Sequence, residues 1–245
     1  MAGVSCNSPQ AFVLPDVSVF IQVSIYIFWF SSKHIIRSDT IYRNMNKKEI
    51  VYRNIACSYI DGNNRFTQLG LSKELGISIS TVNSAVRDLA GINAVRISTR
   101  SFAVSAIERV LFYWASCRKL DRDVIYSTRV DAGVREIEAD MPMGIAFTAY
   151  TAYVLTYKDA PADYSEVYVY VSEEAVDEIK ERFSVNKGIP NLFVMRADDD
   201  LDKWIKSNKI KRSSVCPAQA FVDLWNIRTW YAKEFSDAIL KRIGV

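Results

Sequence analysis

Apolar residues recur at helical spacing on both sides of Gly76. The positions that share this spacing are Leu71, Leu75, Val82, Val86 and Leu89. Because residues three or four apart lie on one face of a helix, the pattern predicts two short amphipathic helices. We expect the Ser78 hydroxyl to cap the second helix and Gly76 to supply the permissive backbone between them.

A different period follows the second helix. Residues 95–104 alternate between apolar and polar positions on either side of Thr99 and Arg100. This alternation predicts two short strands joined by a tight turn. Two helices joined by a glycine-containing turn form a helix-turn-helix, and a following strand pair is typical of its wing. Residues 45–105 therefore predict a winged helix-turn-helix, whose natural partner is double-stranded DNA.

The residues outside the predicted core of this unit are mostly small, polar or basic, as DNA contacts require. The predicted DNA-binding residues are Ser78, Ile79, Ser80, Thr81, Asn83, Ser84, Arg87, Arg96 and Arg100. Asn83 and Arg87 would read base edges in the major groove, and Arg96 and Arg100 would meet phosphates or the minor groove. Packed helix pairs are common, however, and some winged helices bind protein instead of DNA.

The remaining pattern predicts a mixture of helices and strands. Helices are predicted at 45–60, 106–119, 144–155, 173–183 and 217–243, and strands at 124–130, 166–171 and 191–196. The apolar stripe of helix 106–119 can pack on its own domain or serve as a dimer seam. The fold class is therefore α+β, with the winged unit at 45–105 and a mixed α/β domain at 106–245.

The first 44 residues differ from the rest of the chain. Val17–Phe30 is an apolar run of fourteen residues, shorter than the roughly twenty that a membrane-spanning helix needs. Met45 is followed at once by a well-formed amphipathic helix. We expect translation to begin at Met45 and residues 1–44 to be an extension outside the natural coding sequence. The expected protein is cytoplasmic and has no membrane partner.

Positive charge concentrates on the predicted DNA-binding unit. The whole chain carries a formal net charge of +3, which alone does not argue for nucleic acid. Residues 45–105 hold eight basic and four acidic residues, whereas residues 106–245 hold twenty basic and twenty-two acidic ones. Because phosphate neutralisation needs lysine and arginine, this distribution favours DNA contact through the first unit.

Residues suited to catalysis or metal binding are scarce. The single histidine, His34, lies in the first segment, so the rest of the chain has no residue for histidine-based catalysis or a histidine metal site. Neither common phosphate-binding glycine loop occurs. Asp198, Asp199 and Asp200 are adjacent acids that suit the first turn of a helix better than a metal site. We therefore predict no cofactor, no metal and no enzyme activity.

The four cysteines do not form a recognisable framework. Cys6, Cys57, Cys117 and Cys216 are far apart, and no two of them have the spacing of a zinc site. Buried free thiols in a reducing compartment are the expected state.

The last 30 residues carry a recognisable motif. The matching positions are Pro217, Gln219, Phe221, Asp223, Leu224 and Glu234. With them, the segment resembles the closing motif of AbiEi-type antitoxin regulators of type IV toxin–antitoxin systems. Cys216 stands where that family has serine, and Arg228, Thr229 and Trp230 replace its glycine-rich turn.

The resemblance implies a DNA-binding transcriptional regulator whose second domain has a nucleotidyltransferase-like fold without catalysis. A cognate toxin is the further partner it implies, and we expect the regulator itself to be a homodimer. Two other functions stay open. One is a nucleotidyltransferase that holds magnesium near Asp198. The other is a protein-binding module, in which a winged helix has lost DNA contact and the face around Trp225, Trp230 and Tyr231 binds a protein partner.

Overall fold

The computed structural model describes residues 35–207 and 213–245, with side chains from residue 47 onward. Contacts divide the chain into two units, Met1–Arg43 and Asn44–Val245, and all the described side chains belong to the second. The structure is mixed α+β, as predicted. The apolar run Val17–Phe30 lies outside the described residues. No helix in the described part is long and apolar enough to cross a membrane.

The first part of the chain forms helices around a small sheet. Its elements are α1 (Ile35–Ile60), β1 (Arg65–Phe66), α2 (Gln68–Leu75), α3 (Ile79–Gly91), β2 (Val95–Ile97) and β3 (Phe102–Val104). The strands are antiparallel, in the order β1-β3-β2. Both predicted helices and the predicted strand pair are therefore confirmed. α1 begins at Ile35 instead of Met45, since residues 35–44 contain no glycine or proline to end a helix.

The second part surrounds a five-stranded mixed sheet. Its elements are α4 (Ile107–Cys117), β4 (Val124–Thr128), α5 (Val134–Asp140), β5 (Ile145–Thr148), α6 (Ala149–Tyr157), β6 (Val167–Val171), α7 (Val176–Arg182), β7 (Leu192–Arg196), α8 (Asp199–Ser207), β8 (Ser213–Ser214), α9 (Pro217–Asn226) and α10 (Trp230–Arg242). The strand order is β4-β7-β6-β5-β8. The pairs β6/β7 and β5/β8 are parallel, and the other two pairs are antiparallel.

Two predicted helices need correction. The segment predicted as a helix at 144–155 begins as strand β5, which pairs with β6 on one side and β8 on the other. Hydrogen bonds from two neighbouring strands override the local preference of this buried segment. The stretch predicted at 217–243 is divided, because α9 ends at Asn226 and α10 begins only at Trp230.

Both faces of the five-stranded sheet are covered. Val167, Val169 and Val171 of β6 pack in a cluster with residues of α5 and α7. Tyr168 and Tyr170 point to the opposite face and join a larger cluster. That larger cluster continues from α1 to α10, so the elements before and after residue 105 share one continuous apolar core.

Candidate nucleic-acid interface

Two caps and a glycine fix the connection between α2 and α3. Thr67 Oγ1 accepts a hydrogen bond of 3.0 Å from the Gly70 amide at the start of α2. Gly76 ends α2 with φ 64°, a left-handed conformation that residues with a Cβ rarely adopt. Ser78 Oγ accepts a hydrogen bond of 3.3 Å from the Thr81 amide at the start of α3. The predicted cap and the predicted turn are both confirmed.

The two faces of α3 differ in burial. Its inner face consists of Val82, Ala85, Val86 and Leu89, whose side chains are fully buried. On the outer face, Ile79, Ser80 and Arg87 are exposed, and Asn83 and Ser84 are half-buried. The spacing of these five residues places them on one side of the helix, away from the core. The predicted α3 residues therefore form one continuous surface.

Three hydroxyl groups cluster at the first turn of α3. The Ser78 hydroxyl lies 3.0 Å from that of Ser80 and 2.9 Å from that of Thr81. Ser78 and Ser80 are exposed, whereas Thr81 is half-buried. The three residues thus stabilise the start of the helix, in addition to any contact that they make outside the protein.

Asn83 is held by a residue on the neighbouring helix. Its Nδ2 donates a hydrogen bond of 2.8 Å to Oε1 of Gln68, the first residue of α2. Both side chains are half-buried. The amide of Asn83 is therefore oriented by the protein before any ligand arrives.

The tight turn between β2 and β3 lies at the surface. The Ser98 amide donates a hydrogen bond of 2.7 Å to the Ser101 carbonyl, which closes the turn. Arg96 lies on edge strand β2 and Arg100 lies in the turn, and both are exposed. Among the described residues, no hydrogen bond or ion pair links either arginine to the α3 surface.

The cations of this part are mostly available to a ligand. Six exposed basic residues have no ion pair with any described residue: Lys47, Arg65, Lys73, Arg87, Arg96 and Arg100. In contrast, two of the four acids, Asp88 and Glu49, form ion pairs, and a third, Glu74, accepts a hydrogen bond from Asn54. Asp88 accepts hydrogen bonds from Lys48 Nζ at 2.6 Å and from the Tyr52 hydroxyl at 2.9 Å. The exposed residues without an ion pair are therefore six cations and the two acids Asp61 and Glu74, so the exposed surface keeps the positive charge that the composition of this segment indicates.

The second engaged acid, Glu49, belongs to a buried ion network centred on Arg118. The Arg118 guanidinium lies 3.3 Å from Glu49 Oε2 in α1 and 2.6 Å from Asp123 Oδ2. It donates to the Tyr170 hydroxyl of β6 at 2.8 Å and lies 3.4 Å from Asp223 of α9. The network therefore ties α1 to the five-stranded sheet and to α9.

Asp223 is the innermost member of this network. Its carboxylate accepts hydrogen bonds from the hydroxyls of Thr148 at 2.7 Å and Tyr170 at 2.9 Å, and from Gln219 Nε2 at 3.0 Å. Complete burial raises the pKa of Asp223, and the nearby Arg118 charge only partly opposes this effect. Gln219 and Asp223 of the C-terminal motif thus have partners within the protein, which gives them a structural role.

The acidic segment at 198–200 forms ion pairs with an arginine of α1. Arg53 of α1, whose side chain is 10% exposed, makes hydrogen bonds of 2.6 and 2.7 Å to the two carboxylate oxygens of Asp198. It also lies 2.9 Å from Asp200. Asp198 Oδ1 further accepts from the amides of Asp200 and Leu201, so it caps α8.

The electrostatics of this pair favour the charged carboxylate. Burial is the largest single effect and would raise the pKa of Asp198. The Arg53 charge and the hydrogen bonds from Arg53 and from two backbone amides together outweigh burial, so the pKa is lowered. No group of three or more metal-ligand side chains with suitable geometry occurs in the described part of the chain.

The expectation of free thiols is wrong for two cysteines. Cys57 of α1 and Cys216, the residue before α9, form a disulfide with a Cα–Cα distance of 6.1 Å. They are 159 residues apart in the sequence, so no local pattern indicates their contact. Cys117 is a half-buried free thiol.

Sequence reasoning missed Gln68, which only the packing of α2 against α3 brings to Asn83. It also missed Arg118, whose partners come from four separate segments. No family model, characterised protein or solved structure matches the chain.

Proposed function

We propose that the protein is a sequence-specific regulator of transcription that binds double-stranded DNA through a winged helix-turn-helix at residues 45–105. The observation that carries this proposal is the outer face of α3. There Ser80, Asn83, Ser84 and Arg87 stand on a rigid, capped helix, with no ion pair to neutralise Arg87. A helix with small polar side chains and one free arginine suits entry into the major groove.

The order of the elements supports the proposed winged helix. A helix and a short strand precede α2 and α3, and two antiparallel strands with a tight turn follow. Arg96 and Arg100 in the proposed wing are free to meet phosphates or enter the minor groove. In this arrangement α3 provides base contacts, and the wing provides contacts to the DNA backbone.

The second part of the chain is proposed to be the antitoxin-type domain of an AbiEi-like regulator, nucleotidyltransferase-like in fold and not catalytic. The internal partners of Asp198 and Asp223 support the absence of catalysis, because both carboxylates are used to hold the fold. The proposed protein acts in the cytoplasm, as a homodimer, with a cognate toxin as a further partner.

A surface for a protein partner has one specific observation in its favour. Phe112 of α4 and Trp225 of α9 lie with ring centroids 5.1 Å apart, and they are 37% and 53% exposed. Exposed aromatic side chains are frequent at protein interfaces. The second candidate function is therefore a protein-binding module, which would bind its partner whether or not DNA is present.

The test of the proposed function is selection from a pool of duplex DNA with a randomised central segment. A sequence-specific regulator enriches one motif over successive rounds, and the Asn83→Ala variant enriches a less restricted motif. If the parent protein retains all sequences equally, the proposed function is wrong, and DNA-independent binding of one protein partner would favour the second candidate.

A further inference from the structure

The hydrogen bond between Gln68 and Asn83 joins two amides into one surface group. We propose that these two side chains act together as a single reader of adenine in the major groove. The inference deepens the proposed function and rests on it, since it assigns a base and a second contact residue to the same α3 surface.

The first step is to identify which polar atoms of the pair are free. Asn83 Nδ2 uses one hydrogen for Gln68 Oε1. Asn83 Oδ1 and Gln68 Nε2 have no hydrogen-bond partner among the described residues. The one buried side-chain polar atom without a partner in the described part is Asp202 Oδ1, so both atoms of the pair reach solvent. The pair therefore presents one acceptor from α3 and one donor from α2.

The second step is to match this pattern to a base. Adenine shows the N6 donor and the N7 acceptor in the major groove, whereas guanine shows two acceptors, O6 and N7. An acceptor at Asn83 Oδ1 and a donor at Gln68 Nε2 match N6 and N7 of adenine. Guanine would place its O6 against Asn83 Oδ1, and two acceptors repel.

The third step concerns rigidity. An isolated asparagine on a helix surface must lose side-chain freedom when it binds a base, which weakens the contact. Here Asn83 is half-buried and already bonded to a residue at the capped start of α2. Because both helices are fixed by their caps, the acceptor and the donor keep their relative position.

The experiment compares the parent with Gln68→Ala and Gln68→Glu. Selection from the randomised duplex pool gives the preferred motif of each protein. We expect the parent to require adenine at one position. The Gln68→Ala variant should show a weaker preference there, because Asn83 Nδ2 is released and has to reach N7 without a fixed position. Glutamate keeps the acceptor for Asn83 Nδ2 but has no donor for N7, so Gln68→Glu should lose the same preference.

A modified base then tests the assigned contact directly. Duplexes in which 7-deazaadenine replaces that adenine lack the N7 acceptor. We expect the parent to bind these duplexes about tenfold more weakly than the unmodified duplex, as for the loss of one specific base contact. Gln68→Glu should bind the modified and the unmodified duplex equally, because it has no donor for N7. Asn54→Ala is the matched control. This substitution also removes an amide that is paired with an α2 side chain, that of Glu74, but Asn54 lies on α1 and not on the α3 surface.

The outcomes separate this inference from the proposed function. If the parent and both Gln68 variants enrich the same motif, or if 7-deazaadenine has no effect on the parent, the adenine reader is wrong while DNA binding stands. If the parent enriches no motif, both proposals fall. Thermal unfolding of each variant checks that any lost preference comes from a folded protein.

Discussion

At the scale of single residues, Arg118 joins four segments of the chain through one buried guanidinium. Its guanidinium faces three carboxylates, those of Glu49, Asp123 and Asp223, and its side chain is only 8% exposed. Burial raises the pKa of Glu49 and Asp223, and the Arg118 charge opposes that rise in both. Removing the arginine would leave these acids buried without a counter-charge.

The Arg118→Met variant should therefore lower the free energy of unfolding by about 3–5 kcal/mol at pH 7, the usual cost of breaking a buried ion pair. Without Arg118 the pKa values of Glu49 and Asp223 rise further, so the folded state binds more protons than the unfolded state. The stability of the variant then falls as pH rises through those raised pKa values. The difference in unfolding free energy between the parent and Arg118→Met should therefore be smaller at pH 5 than at pH 7. Urea unfolding of the parent and the variant at several pH values measures this difference.

The conservative variant Arg118→Lys is the control for this prediction. It retains a positive charge and should recover part of the stability, with a weaker pH dependence than Arg118→Met. A deficit in Arg118→Met that does not change with pH would contradict the assigned role of the two acids.

At the scale of elements, the connection between α2 and α3 could be predicted from the sequence because its signals are local. The caps at Thr67 and Ser78 and the left-handed turn at Gly76 each depend on residues within a few positions. The strand β5 could not be predicted, because its hydrogen bonds come from strands that are distant in the sequence.

Ser78→Ala tests the cap of α3. Loss of the hydroxyl leaves a backbone amide of the first turn without its partner, which should cost about 1 kcal/mol of unfolding free energy. Ser84→Ala on the same helix is the matched control, since Ser84 makes no hydrogen bond through its side chain with any described residue. Equal stability of the two variants in chemical denaturation would contradict the capping role.

At the scale of the whole molecule, α1 is the element that connects the two parts of the chain. It contributes Arg53 to the Asp198 pair, Glu49 to the Arg118 network and Cys57 to the disulfide with Cys216. These contacts join residues 145, 69 and 159 positions apart. No periodicity or motif encodes such pairings, which is why sequence reasoning predicted the helices but not what holds them together.

The disulfide is testable by chemical labelling. Protein alkylated after unfolding without reductant should yield one cross-linked peptide pair that contains Cys57 and Cys216, while Cys117 is alkylated. In the chain-entropy model, closing a loop of 159 residues stabilises the fold by on the order of 5 kcal/mol. Reduction should therefore lower the unfolding temperature, and Cys117→Ser should not. Alkylation of all three residues in unreduced protein would contradict the pairing.

The most direct test of the proposed DNA binding is the salt dependence of affinity for duplex DNA. Fluorescence anisotropy gives the dissociation constant from 50 to 300 mM salt for the parent, Arg87→Ala, Arg100→Ala and the control Arg228→Ala, an exposed arginine in the second part of the chain. Each phosphate contact that is removed should reduce the slope of log affinity against log salt by about one unit. We expect a reduced slope for Arg100→Ala, weaker binding for Arg87→Ala and parental behaviour for Arg228→Ala. If Arg87→Ala and Arg100→Ala also bind DNA with the affinity and the salt slope of the parent, the proposed interface is wrong.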